Sequence, residues 1–198
     1  MLKKIKEFFC DKAVKFLLTH VYSYQDPELE ALYQKVIGRA RSFGFSFEPP
    51  ILRIMKDGAL SQFCRIHDKN NEGDTVSKYV TVAMYIQAER PLIGRQTTVI
   101  VVAESSLQKY RDDEMTCAFL LAHELGHAID AQYTDRTKHP FVERMISRPG
   151  KELFADAFVA YLYNPLMAVV VKRKLGDPRV REEQIAQIGA PLIPRRLK

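Results

Sequence analysis

The sequence has no tryptophan and only three cysteines, Cys10, Cys64 and Cys117. They are odd in number, far apart and form no Cys-x-x-Cys pair, so neither a disulfide framework nor a cysteine-built zinc ribbon is supported. Free thiols in a reducing compartment are the simplest account, and Cys117 reads as a core residue rather than a nucleophile. No apolar run approaches the roughly 18 residues needed to cross a bilayer. Met1 to Lys6 has the basic start of a signal peptide, but Asp11, Lys12 and Lys15 interrupt the apolar stretch that should follow. The expectation is a soluble, cytoplasmic chain with no transmembrane segment. Internal repeats and low-complexity tracts are also missing.

What is there fits a globular protein. The chain has 198 residues, 46% hydrophobic and 27% charged, enough to bury a core without cross-links. The net charge is +6, and the excess sits at the ends: Lys3, Lys4, Lys6, Lys12 and Lys15 open the chain, Arg195, Arg196 and Lys198 close it. Such ends read as solvated surface that could add weak contact with an anionic surface. No interleaving of basic and aromatic residues accompanies them, which argues against nucleic acid as a partner.

The apolar pattern divides the chain into a helical segment, 1–48, packed on a domain that spans 49–198. Leu2, Ile5, Phe9, Ala13, Phe16 and Leu17 make one face of a helix over 2–22. Asp26-Pro27-Glu28 is a helix start, with Asp as cap and Pro in the first turn, and that helix should stop near Gly44. Strand candidates follow at 51–55, 63–67, 79–87 and 97–103, with a turn signal at 70–74. Asp112 or Asp113 can cap a helix running to about Gln132. Residues 133–150 read as loop with a short helix near 141–146. A strong helix over 151–163 ends at Asn164-Pro165, and further helices are expected at 166–174 and 177–188. The class is α+β, a small mixed sheet with helices at both ends of the chain.

The chemistry concentrates in His123-Glu124-Leu125-Gly126-His127. Residues four apart share one face of a helix, so both imidazoles can reach one metal ion. Glu124 lies beside them, placed to take a proton from water and return it to a leaving group. Two imidazoles suit Zn2+, which accepts nitrogen ligands in tetrahedral geometry. Gly126 inside a helix costs up to about 1 kcal/mol relative to Ala and makes sense if another backbone passes close by.

A catalytic zinc takes three protein ligands and leaves one position open. Glu152 follows His127 by 25 residues, room for a loop and a returning helix. Asp156, one turn further on the same face, could accept the free N–H of His123 and fix that ring. Both carboxylates stand among Phe154, Ala155, Ala157, Phe158 and Tyr161, where burial demands a purpose for them. His139 is the rival third ligand, or alternatively an oxyanion donor, as are Tyr133, Tyr161 and Tyr163. His20 and His67 read as structural or solvated.

This pair of motifs, His-Glu-Leu-Gly-His followed by Glu152-Leu-Phe-Ala-Asp156-Ala-Phe, resembles the gluzincin metallopeptidases. Within them it is similar to the small ImmA/IrrE-type peptidases and, in its Glu-x-x-Ala-Asp element, to the HtpX type. The resemblance covers about residues 97–165. It implies a zincin-like fold, zinc held by His123, His127 and Glu152, Glu124 as general base and acid, and a peptide or protein substrate. It also implies an edge strand beside the motif helix, along which substrate adds as a further strand; Thr98, Val99, Ile100, Val101 and Val102 would supply it. The competing reading is a non-catalytic zinc domain that recognises a partner through the same groove. Glu124 favours catalysis, because a purely structural site has no need of it.

Overall fold

The computed structural model describes residues 22–60, 83–89, 96–133, 139–145 and 151–164. The helix expected over 2–22, the strand at 63–67, the turn at 70–74 and the helices beyond 165 lie outside the described residues, as do Cys10, Cys64, His20 and His67.

The elements in chain order are β1 (Ser23–Tyr24), α1 (Pro27–Ser42), β2 (Ile51–Met55), β3 (Ala83–Glu89), β4 (Gln96–Ala103), α2 (Glu104–Tyr110), α3 (Glu114–Gln132), α4 (Pro140–Met145) and α5 (Lys151–Leu162). The fold is mixed α and β. Among the described residues no helix is long and apolar enough to cross a membrane.

These elements fall into two compact groups. One takes Met1–Ala31 and Pro50–Asp112, the other Leu32–Pro49 and Asp113–Lys198. This division interleaves along the chain. Its cause is visible in Arg39, whose Nε donates to the carbonyl of Leu162 at 2.7 Å, and in Phe45, whose ring sits among those of Tyr133, Phe141, Phe158 and Tyr161.

The first group is the sheet, in order β1-β2-β4-β3. β2 runs parallel to β4, pairing Ile51 with Val99 through Met55 with Ala103. β3 runs antiparallel to β4, from Ala83 opposite Val102 to Glu89 opposite Gln96. β4 thus has a hydrogen-bonded neighbour on each side, and this corrects an expectation: Val99, Ile100, Val101 and Val102 are paired on both sides and Thr98 with Gln87, so this run is not an edge for a substrate strand. Burial gives the same answer, since Val99 to Ala103 are all inside, alternate faces included. A strand covered on both faces carries an unbroken apolar run rather than an alternating one.

The helix after β4 is not evident from the sequence. Ala103 provides no side-chain cap for α2, and part of that role passes to Asp57, whose Oδ1 accepts the Ser105 N–H at 3.3 Å. The start of α1 belongs to the same group. Asp26 Oδ1 accepts the N–H groups of Glu28 and Leu29, both at 3.0 Å, and Pro27 fills the first helical position. Arg111 adds charge contacts to Asp26 and Glu28 at 3.2 and 3.0 Å.

The second group is helical. α1 ends there in a Schellman turn: Gly44 at φ +91°, its N–H to Arg41 O at 2.9 Å and the Phe45 N–H to Ala40 O at 3.3 Å. Only glycine takes that backbone conformation without strain. α3 starts at Asp113, whose two carboxylate oxygens accept the N–H and the hydroxyl of Thr116 at 3.0 and 2.8 Å. Past its first turn α3 is buried nearly all round, as a central helix must be. The exception is a stripe of half-buried positions, Leu120, His123, His127 and Asp130, at helical spacing. α5 packs against α3 with Phe154, Ala155, Ala157, Phe158, Val159, Ala160 and Leu162 buried.

Candidate metal centre

The half-buried stripe of α3 meets the first turns of α5. His123 Nε2 and His127 Nε2 lie 3.2 Å apart. Glu152 faces both rings, with one oxygen, Oε2, at 3.3 Å from His123 Nε2 and the other, Oε1, at 3.5 Å from His127 Nε2. Ligand atoms about 2.0–2.1 Å from a tetrahedral centre stand about 3.3–3.4 Å from one another. The two histidine nitrogens stand near that separation, and with one oxygen of Glu152 they form a group, all within 4.8 Å of one another, that could hold a metal ion. Asp156 sits one turn beyond Glu152 with Oδ1 at 2.9 Å from His123 Nδ1. When the ring is neutral, that contact favours the proton on Nδ1 and leaves Nε2 to face the group. Glu124, only 6% exposed, lies between the histidines in sequence, and its charge acts on His123.

Without a metal, the two imidazoles are driven apart. Burial pulls His123 down, but the hydrogen bonds to Asp156 and Glu152 outweigh it and hold the ring up to about 9. His127 is pushed down to about 4, first by burial and then by the positive charge of His123. The metal-free site therefore carries one proton near neutrality, and it rides on His123. For stability the signs oppose. The His123 contribution is complete below about 6.5, the ordinary histidine value, and is lost as pH rises through about 9. The His127 contribution is complete above about 6.5 and is lost as pH falls towards about 4.

Gly126 sets the spacing between the two helices. A Cβ there would lie 2.9 Å from the Cα of Ala155 and 3.3 Å from the Cβ atoms of Ala155 and Phe158. The nearest of these is backbone, so neither helix can yield by moving a flexible side chain. Gly126→Ala is expected to cost about 1–3 kcal/mol of overpacking, offset by up to about 1 kcal/mol of helix propensity. Chemical denaturation checks this, and a variant as stable as the parent would show that α5 moves freely on α3.

The structure brings His123, His127, Glu152 and Asp156 together and leaves His139 out. His139 is buried with both ring nitrogens engaged by backbone: Nδ1 accepts the Phe141 N–H at 3.2 Å and Nε2 faces Phe43 O at 3.1 Å. Neither nitrogen is free for a metal or an oxyanion, which corrects that expectation. Tyr133 receives the Ser46 N–H on its hydroxyl at 2.8 Å, and Tyr163 lies under Arg39 at 4.6 Å. Two further charged residues border the site. Asp130, on the stripe one turn past His127, is raised above the usual carboxylate range by burial, with Lys151 opposing. Lys151 also lowers His127. The signal for both was spacing alone: Asp130 follows His127 by three residues, and Lys151 precedes Glu152.

Compared with family models, with characterised proteins and with solved structures, the chain finds no match.

Proposed function

We propose that the chain is a zinc-dependent peptidase of the gluzincin kind, with a zincin-like fold and a peptide or protein substrate. The observation that carries this reading is the convergence of His123, His127 and Glu152 on one point, with Asp156 against one ring and Glu124 buried beside it. His123 and His127 would hold the ion through Nε2, and Glu152 through its carboxylate. Zinc, when bound, supplies a Lewis acid that polarises a carbonyl and makes water acidic enough to attack near neutral pH. Glu124 takes the proton from the attacking water and delivers it to the departing amine as the peptide bond breaks. Asp156 keeps His123 in the tautomer that presents Nε2.

The test is metal analysis of the purified chain together with turnover of a broad peptide library. Stoichiometric zinc is expected, with cleavage that disappears on chelation and returns with added zinc. Zinc without cleavage would favour the partner-recognition domain instead, and no affinity for zinc would overturn both.

A further inference from the structure

His139 has a geometry that the proposed chemistry does not use. We propose that it is an acid-sensitive clasp: its neutral ring holds the turn after α1 to the start of α4, and protonation releases that hold. Phe43 O can only accept, so Nε2 carries the proton and donates it at 3.1 Å. Nδ1 is then bare and accepts the Phe141 N–H at 3.2 Å. Phe141 is the second residue of α4, and its N–H is one of the donors a helix start leaves without a partner in the helix. An imidazole nitrogen here does what a serine or aspartate oxygen commonly does.

A second proton would destroy this arrangement. Two N–H donors would face each other where one hydrogen bond had been, and a cation would stand at the positive end of a helix. The ring cannot turn away cheaply, because it is 6% exposed and stacks on Phe45 at 3.8 Å with 21° between the planes. Among the described residues, the titratable side chains facing it are two phenols, Tyr133 at the end of α3 and Tyr161 on α5, each with ring centroids 6.3 Å away. The turn after α1 presents the Phe43 carbonyl and the Phe45 ring, and α4 presents Phe141. Among the described residues, no carboxylate is paired with the ring to welcome an imidazolium.

Release reaches further than α4. Phe141 packs against Phe154, Phe158 and Tyr161 with ring centroids at 5.2, 6.0 and 5.0 Å. Those residues line the helix that bears Glu152 and Asp156. Acid would therefore loosen one wall of that helix without touching the metal-binding group. The inference does not depend on the chain being a peptidase.

The experiment is amide hydrogen exchange of Phe141 in the full chain, at about pH 7.5 and about pH 5.5, on either side of the range in which imidazoles titrate. Rates are corrected for intrinsic exchange and compared with those of His139→Asn, whose amide oxygen can cap the same N–H but cannot ionise. In the parent, Phe141 protection is expected to fall by about tenfold at the lower pH, the loss of one hydrogen bond. In His139→Asn it should not change with pH. An equal fall in both proteins would place the cause elsewhere, and no fall in the parent would remove the clasp. Should the variant fail to fold, 15N shifts of His139 in the parent decide the matter. The Nε2–H tautomer that gives way to imidazolium as protection is lost supports the proposal, and the Nδ1–H tautomer overturns it.

Discussion

Replacing Glu124 with glutamine is expected to lower the turnover of peptide by about 10²- to 10⁴-fold, the usual worth of a positioned acid–base group. Zinc content and thermal stability should stay near those of the parent. Glutamine keeps the volume of a side chain that is 6% exposed, and it leaves His123, His127 and Glu152 untouched. What it removes is the capacity to accept a proton from water and return it to the amine. Kinetics on a cleaved library peptide, with metal analysis of the same sample, measures both halves. Proteolysis at the parent rate would sink the assigned role of Glu124, and loss of the metal would show that Glu124 acts on binding rather than on the proton.

The second large effect is on the metal itself. His123 is held up to about 9 and His127 pushed down to about 4, so across neutral pH the pair holds one proton that a metal must displace. Zinc affinity should therefore rise by about tenfold per pH unit, or about a hundredfold between roughly pH 6 and 8. Two ordinary histidines would behave differently, because they are nearly proton-free above about pH 7 and their affinity would level off there. Competition titration against a chelator of known proton linkage distinguishes the two courses. An affinity that is flat above neutrality would mean that Asp156 and Glu152 do not hold a proton on His123. Asp156 has two opposed effects here. It fixes the ring in the binding tautomer, and its charge favours the protonated ring with which the metal competes.

Much of this site could be read from spacing. The four-residue step from His123 to His127 puts both rings on one face of α3, and the four-residue step from Glu152 to Asp156 does the same on α5. Asp26, Asp113 and Gly44 marked helix ends by the chemistry of their side chains or, for glycine, by its absence. Gly126 pointed to a close backbone, and Ala155 is there at 2.9 Å from the position a Cβ would take. These are local signals, fixed by a few neighbouring residues.

Sheet order is not a local signal, and there the position implied by the resemblance failed. Val99-Ile100-Val101-Val102 was legible as a strand but was assigned to an edge. The run itself held the contrary indication, for an edge strand with one wet face tends to alternate, and this one does not. His139 failed for a related reason. Its stacking partner Phe45 and its acceptor Phe43 stand 94 and 96 residues away in sequence. No pattern around residue 139 announces them, so a histidine in a polar stretch looked available when both of its nitrogens were taken. The helix at Glu104–Tyr110 was invisible because its capping position is an alanine.

The contact between Gly126 and Ala155 has one more consequence. Each residue stands inside one of the two motifs, Gly126 just before His127 and Ala155 just before Asp156. The gauge that fixes the distance between the two halves of the centre is thus written into the motifs themselves. The distance between the helices at the group is fixed at this contact, whatever the connection between them adds elsewhere. Two short segments, each bringing its own half of the ruler, therefore set the width of the group.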